Sequence, residues 1–224
     1  MLQVDIITLF PNFFTTPLET SIVGKAISSQ KISVRVHDLR PYGLGKHQIT
    51  DDRPYGGGPG MVMLIEPLHN MLNDLRYQKG TPGELITLTS AKGPLYTQQT
   101  ARNWAKLERL CLICGHYEGV DERVAEHLID TEIRIGDYVL TGGEPASLVI
   151  VDSLARLQPD VLGNEDSLVD ESHDTPGKMS YPQYSRPEEY LGWEVPSILL
   201  SGNHPKVAQW RSEASQKASK AEND

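Results

Sequence analysis

Two kinds of apolar pattern alternate along most of the chain. Short continuous apolar runs are typical of buried strands, and apolar residues that recur every three or four positions indicate one face of a helix. The strands are predicted at residues 4–9, 32–39, 84–90, 110–115 and 131–136, and the helices at 17–29, 66–77, 97–108, 120–129 and from 144 onward. This alternation predicts an α/β protein with a mostly parallel sheet and helices on both of its faces.

The pattern changes after residue 158. Residues 160–181 are acidic and polar and lack apolar periodicity, which is typical of a linker or mobile loop. An apolar group follows around Trp193, and a last helix is predicted from Pro205. The prediction is a large α/β domain at 1–159, a flexible interdomain linker at 160–181 and a small helical domain at 182–224.

Composition and charge narrow the class of protein. The chain has 224 residues, of which 38% are hydrophobic, and a net charge of −9, which argues against a general nucleic-acid coat but allows a local basic patch. No apolar run approaches the roughly 20 residues of a membrane helix. The first residues, MLQVDIITLFPNFF, lack a basic segment and a small-residue cleavage site, so they are predicted to form the first strand. We expect a cytoplasmic protein with no membrane partner.

The two cysteines, Cys111 and Cys114, have the spacing of redox or metal motifs. Their segment, however, has the apolar character of a strand, in which positions three apart point to opposite faces. Two thiolates also supply only half of a structural zinc site. The sequence therefore favours two buried, inert thiols.

Three glycine-containing segments each follow a predicted strand directly: TSAKG at 89–93, GHYEGVDER at 115–123 and IGDYVLTGGE at 135–144. Ligands of open α/β sheets bind beyond the carboxyl ends of the strands, and glycine there lets backbone approach a ligand closely. One such loop alone is more often a plain turn. Three of them at one edge of a sheet predict a pocket.

The composition of these loops limits what the pocket can hold. None matches the glycine fingerprint of a dinucleotide site or of a P-loop, and they supply apolar residues, backbone and carboxylates. An uncharged or cationic nucleoside suits them better than a triphosphate. A fourth segment, ITDDRPYGGGPGMVM at 49–63, is too rich in glycine and proline for regular structure. It is predicted as a substrate-facing loop, with a flexible hairpin as the alternative.

Several long motifs occur together and in order. DDRPYGGGPGM, GHYEGVDER, IGDYVLTGGE and PQYSRP (182–187) lie between DIITLFP (5–11) and HPKVAQWR (204–211). Over nearly the whole chain they resemble the bacterial tRNA (guanine-37) methyltransferases of the SPOUT superfamily. The resemblance implies an α/β domain with a deep C-terminal trefoil knot, which strand and helix patterns alone do not reveal, and a small α-helical C-terminal domain. It also implies S-adenosylmethionine as donor, the tRNA anticodon loop as partner, and a homodimer with shared active sites.

The resemblance further implies which residues bind the donor, with the third loop wrapped around the adenosine mainly through backbone hydrogen bonds. They are Leu88, Thr89, Ser90 and Gly93 in the first loop, Gly115, Tyr117, Glu118 and Gly119 in the second, and Ile135, Gly136, Asp137, Tyr138, Val139, Leu140, Gly142 and Gly143 in the third.

Methylation of guanine at ring nitrogen 1 requires that nitrogen to lose its proton. A carboxylate beside it serves as general base, and an arginine stabilises the negative charge that moves to the guanine oxygen. The resemblance assigns Arg156 to the second role. It assigns the base to Glu171, where the family usually has aspartate, and the adjacent Asp170 is the alternative.

The family is expected to use Mg²⁺ near the donor, and Glu118 and Glu171 are oxygen ligands that suit such a cation. Basic residues that could contact tRNA are Lys46, His47, Arg53, Lys178, Arg186, Lys206 and Arg211, each of which is singly more often a solvated charge. Two other functions remain open. Ribose methylation on the same fold conflicts with the DDRPYGGGPGM loop, and a non-catalytic RNA-binding module is favoured only by glutamate at the base position.

Overall fold

A parallel sheet of 5 strands forms the core of the larger, N-terminal part of the protein. The computed structural model describes residues 1–163 and 171–222. The first unit, Met1–Gly163, contains β1 (Leu2–Thr8), β2 (Ile32–Asp38), β3 (Asp51–Asp52), β4 (Val62–Met63), β5 (Glu84–Thr89), β6 (Arg109–Cys114) and β7 (Thr131–Ile133). The order in the sheet is β2-β1-β6-β5-β7, and every neighbouring pair is parallel. The predicted α/β class and parallel sheet are confirmed.

Helices cover both faces of this sheet. They are α1 (Thr15–Glu19), α2 (Ser21–Ser28), α3 (Ile65–Asp74), α4 (Gln98–Trp104), α5 (Glu122–His127) and α6 (Glu144–Ala155). On one face Ala26 of α2 and Leu154 of α6 belong to the same buried cluster as Ile6 of β1. On the other, Leu68 of α3 and Val124 of α5 are buried. Burying a side chain of this size contributes ~1.5–3 kcal/mol relative to leaving it exposed.

The helix predicted at 17–29 is divided in two. Ser21 has a φ of 57°, a left-handed value that interrupts the right-handed helix between α1 and α2. Within α2, Val23 and Ala26 are buried, whereas Ile22 is 41% exposed. The single helix predicted at 17–29 is therefore two short helices.

The two cysteines lie on opposite faces of β6. Cys111 packs in the cluster beneath α3 and α5, whereas Cys114 packs in the cluster beneath α6. Neither forms a disulfide, and both are buried. Burial raises the pKa of both thiols, so each remains protonated and serves as a small apolar side chain. The predicted burial is confirmed.

One charged side chain lies inside the sheet. Asp5 of β1 is fully buried and receives hydrogen bonds from Arg35 (2.8 Å), Gln3 (2.8 Å) and the hydroxyl of Tyr77 (2.9 Å), with His37 at 2.7 Å. Burial acts to raise the pKa of this carboxyl, but the hydrogen bonds, led by the one with His37, outweigh it and hold the pKa well below its usual range. The buried charge is therefore fully paired.

The second unit begins after Gly163, and its described part starts at residue 171. It contains β8 (Glu189–Tyr190) and β9 (Trp193–Glu194), which form an antiparallel hairpin, followed by α7 (Ser197–Leu200) and α8 (His204–Glu222). The last helix thus begins one residue before the predicted start. No helix in residues 1–163 and 171–222 is both long and apolar enough to cross a membrane.

Candidate active site

The three glycine loops begin side by side, because the strands before them end at the same register in the sheet. Thr89, the last residue of β5, is in register with Cys114 at the end of β6 and with Ile133 at the end of β7. Hydrogen bonds then join the loop starts: Ser90 N–H donates to the carbonyl of Ile133 at 2.9 Å, and Gly115 N–H donates to Thr89 Oγ1 at 3.3 Å. The order of neighbouring strands therefore brings the three loops to a common edge.

A cavity of about 270 Å³ lies between these loops. It is lined by most of the residues predicted to bind the donor. They are Leu88, Thr89, Ser90, Gly115, Tyr117, Glu118, Gly119, Ile135, Gly136, Tyr138, Val139, Leu140, Gly142 and Gly143. The first unit thus gathers side chains and backbone from all three segments around one space.

Two predicted donor-binding residues are not in the cavity lining: Gly93 and Asp137. Both hold Arg134, whose guanidinium donates to the Gly93 carbonyl at 2.5 Å and to the Asp137 carboxylate at 2.8 Å. A Cβ on Gly93 would lie 2.4 Å from the backbone nitrogen of Ile133. These two residues fix the shape of the first and third loops.

Gly142 and Gly143 are required by close packing. Gly143 N–H donates to the carbonyl of Gly115 at 2.9 Å. A Cβ on Gly143 would lie 1.9 Å from Thr89 Oγ1 and 2.7 Å from the Cα of Cys114, and a Cβ on Gly142 would lie 2.2 Å from Nε2 of His116. The glycine pair therefore lets the third loop pass directly against the first two.

A buried hydrogen-bond chain at the start of α6 was not predicted from the sequence. Glu144 is 3% exposed; its Oε1 accepts from the Thr8 hydroxyl at 2.6 Å, and its Oε2 lies 2.8 Å from His116 Nε2. The His116 ring also packs against Phe10, with centroids 4.9 Å apart. Glu144 thereby ties the second loop to the end of β1. The only signal in the sequence was an acid directly after a glycine pair.

The charges around the cavity are mixed. Lys92 pairs with Glu122 at 3.0 Å, and Arg134 pairs with Asp137 at 2.8 Å. Glu118 and Glu132 also line the cavity. Because the two cations that line the space already have carboxylate partners, the site is better suited to a neutral or cationic ligand than to a polyphosphate.

The DDRPYGGGPGM segment joins the second loop of the cavity. Glu118 N–H donates to the Met61 carbonyl at 3.0 Å. Burial, followed by the neighbouring charge and hydrogen bonding of Asp51, raises the pKa of the Tyr117 phenol. In the middle of the segment, Tyr55 is fully exposed. The segment is therefore anchored at its base beside the cavity, and its tip faces solvent.

The tip of this segment needs glycine for its backbone. Gly56, Gly57 and Gly58 have φ values of 85°, 79° and 128°, and no atom lies within 4 Å of the Cβ position at any of them. The constraint is thus conformational. The ends of the segment pair as the antiparallel strands β3 and β4, so it forms a hairpin, the alternative considered from the sequence, and only its tip is irregular.

Arg156, predicted to stabilise the charge on guanine, is not among the residues that line the cavity. Arg156 follows the last residue of α6, a helix of 12 residues that spans about 18 Å, whereas the glycine pair lies at its other end. Glu171 belongs to the second unit, where it is half-buried. Asp170 lies outside the described residues.

The predicted tRNA contacts are divided between the two units. Lys46, His47 and Arg53 of the first unit are exposed. In the second unit Arg186, Lys206 and Arg211 are exposed and Lys178 is half-buried. Within the described ranges no three or more His, Cys, Asp or Glu side chains are grouped so that they could hold a metal ion.

Comparison with known proteins gives consistent matches along the chain. The family model described as tRNA (Guanine-1)-methyltransferase TrmD matches residues 2–223. A tRNA (guanine-N(1)-)-methyltransferase of Chloroflexus aggregans is 49% identical over 210 residues, which cover 94% of this chain and 81% of the relative. A protein of the same name from Geobacillus kaustophilus is 48% identical over 214 residues, which cover 96% of this chain and 86% of the relative. Another from Pediococcus pentosaceus is 47% identical over 210 residues, which cover 94% of this chain and 85% of the relative.

Proposed function

The chain belongs to the tRNA (guanine-1)-methyltransferase family, and on that premise we propose that it transfers a methyl group from S-adenosylmethionine to nitrogen 1 of guanine 37 in tRNA. The observation that carries the proposal is the cavity formed by three glycine loops at the carboxyl ends of β5, β6 and β7. A bound donor in that position can present its methyl group to a base that enters from solvent.

The lining of the cavity fits this donor. Backbone groups of the third loop, from Ile135 to Leu140, are available to hydrogen-bond an adenine ring, and the apolar side chains can pack on it. S-adenosylmethionine carries a positive sulfonium, which the carboxylates of Glu118 and Glu132 favour. The donor supplies an electrophilic methyl group, and the residues of the chain bind and orient it.

The reaction on guanine needs a base and a charge stabiliser. We assign Glu171 as the base that takes the proton of ring nitrogen 1, with Asp170 as the alternative. The nitrogen lone pair then forms the new bond to the methyl carbon as the carbon–sulfur bond breaks, which leaves S-adenosylhomocysteine. Arg156 stabilises the charge that spreads to the guanine oxygen. The proton ends on the carboxylate and passes to water.

Two copies of the chain are inferred to share each site. Arg156 and the glycine pair stand at opposite ends of α6, about 18 Å apart along the helix, and Arg156 is not among the residues that line the cavity of its own copy. An antiparallel pairing of two such helices brings the end of one to the start of the other. A monomeric mass at assay concentration would contradict this homodimer.

The C-terminal part of the α/β domain is inferred to be threaded as a trefoil knot, consistent with the close passage at Gly143.

The substrate is inferred to bind through its unpaired anticodon loop. Single-stranded RNA loops expose bases that a protein can stack upon and bind at their edges. We assign the stacking contacts to the exposed Tyr55 and the charged contacts to the nearby Arg53 and to the basic residues of the second unit. These local cations can bind RNA although the net charge of the chain is −9.

A cytoplasmic location is inferred from the tRNA substrate. Since the described residues do not group into a metal site, no step is assigned to Mg²⁺.

The donor class can be tested by calorimetric titration. S-adenosylmethionine is expected to bind the purified protein, and ATP at equal concentration is expected not to displace it, because Lys92 and Arg134 are already paired with carboxylates. Adenosine serves as the control, since it presents the shared ring system without phosphates. Displacement of the donor by ATP would show that the cavity accepts polyphosphates and would contradict the proposal.

A further inference from the structure

The segment that contains Glu171 is folded back on itself within the second unit. We call residues 171–181 the Glu171 turn. His173 N–H donates to the Lys178 carbonyl at 2.7 Å, and Ser180 N–H donates to Ser172 Oγ at 3.0 Å. Lys178 N–H also donates to the carbonyl of Thr175 at 2.9 Å. These bonds bring residue 172 beside residue 180, so the start and the end of the turn lie together.

The end of the Glu171 turn is held by α8. Met179 N–H donates to Ser219 Oγ at 2.8 Å, and the hydroxyl of Ser215 donates to the Met179 carbonyl. One turn of α8 earlier, the guanidinium of Arg211 lies 4.8 Å from the centre of the Tyr181 ring. Residues four apart share a helix face, so one face of α8 holds Met179 through both of its backbone polar groups and Tyr181 through its ring.

This anchoring limits where the Glu171 carboxylate can go. An extended chain from residue 171 to residue 179 would reach about 27 Å, which leaves a carboxylate on a free linker a large volume to search. In the observed turn the bond between Ser180 and Ser172 removes most of that reach. A general base that is held near its working position raises the rate, because alignment is settled before the reaction begins.

We propose that Ser215 and Ser219 are positioning residues for the general base. They fix the Glu171 turn to α8 through the backbone of Met179 and thereby set where the Glu171 carboxylate is presented. The inference rests on the proposed function, in which Glu171 removes the guanine proton. It adds two hydroxyl groups of α8 that the sequence motifs did not single out.

The test is the double substitution S215A/S219A, with Ser212→Ala as the matched control. Ser212 is an exposed serine of the same helix. The rate of a single methyl transfer at saturating donor and tRNA is expected to fall about 10- to 100-fold in the double variant, with donor affinity and the KM for tRNA unchanged. The control is expected to retain the full rate. An unchanged rate in S215A/S219A would overturn the inference.

A double-mutant cycle separates positioning from a general structural effect. In a Glu171→Gln background the S215A/S219A substitutions are expected to change the residual rate by less than about twofold, because the group that they position is already lost. A full further loss in that background would mean that the serines act on something other than Glu171, and would overturn the proposal. If Glu171→Gln alone is fully active, the assignment of the base fails instead, so the two failures are distinguishable.

Conservative variants keep the test valid if S215A/S219A does not fold. Threonine retains the hydroxyl group, so S215T and S219T are each expected to retain the rate within about threefold, whereas S219A alone loses part of it. Equal rates for S219T and S219A would show that the hydroxyl of Ser219 has no role in the reaction.

Discussion

Replacing Glu171 by glutamine is expected to leave only a small residual rate of methyl transfer while S-adenosylmethionine still binds. Glutamine has nearly the same size and shape as glutamate and can still form hydrogen bonds. Its amide, however, cannot accept the proton of ring nitrogen 1. Loss of a general base typically lowers a rate by ~10²–10⁴-fold. The cavity in which we propose that the donor binds belongs to the first unit, and Glu171 belongs to the second. The affinity for the donor, measured by calorimetry, is therefore expected to be unchanged.

Two further substitutions make this result specific. Glu171→Asp restores the residue that is usual in the family and is expected to keep measurable activity, since the carboxylate remains and only its reach changes. Asp170→Asn is expected to keep most of the activity. If Asp170→Asn removes the activity and Glu171→Gln does not, the base is Asp170 and our assignment is wrong by one residue.

Replacing Gly143 by alanine is expected to destroy the donor site and to destabilise the first unit. The φ of Gly143 is −81°, an ordinary value, so the requirement for glycine is one of space alone. The new Cβ would lie 2.7 Å from the Cα of Cys114 and 2.9 Å from the nitrogen of Gly115, and these backbone atoms cannot turn aside. Overpacking of this kind costs ~1–3 kcal/mol and sometimes more, and we expect donor binding to be undetectable.

Gly163→Ala is the matched control for this substitution. No atom lies within 4 Å of its Cβ position, so its free energy of unfolding is expected to stay within ~0.5 kcal/mol of the parent chain. Denaturant unfolding and donor titration of both variants provide the measurements. A Gly143→Ala protein with parental stability and donor affinity would mean that the third loop does not pass against the other two as described.

The pocket could be predicted from the sequence because its parts obey a simple rule. Segments that follow neighbouring parallel strands must meet at one edge of the sheet, and the glycines in TSAKG, GHYEGVDER and IGDYVLTGGE marked these segments. The structure adds the reason for Gly143, which is contact with backbone at Gly115. That contact joins residues distant in sequence, so local patterns contain no information about it.

Three other features were missed, one because it depends on a distant contact and two because their local signals in the sequence are weak. The hydrogen bond between Thr8 and Glu144 spans almost the whole first unit, and each residue alone looks like an ordinary polar position. The exposed β8–β9 hairpin is made of strands too short for a periodicity of two to be detected. The break at Ser21 was missed because a positive φ at serine has no local signature as clear as that of glycine.

The most direct test of the account is methyl transfer from labelled S-adenosylmethionine to two unmodified tRNA transcripts that differ only at position 37. One transcript carries guanine immediately 3′ of the anticodon, and the other carries adenine. We expect label in the guanine transcript alone, recovered as 1-methylguanosine after digestion to nucleosides. Label in both transcripts, label elsewhere in the tRNA, or no label while the donor still binds would each contradict the proposed reaction.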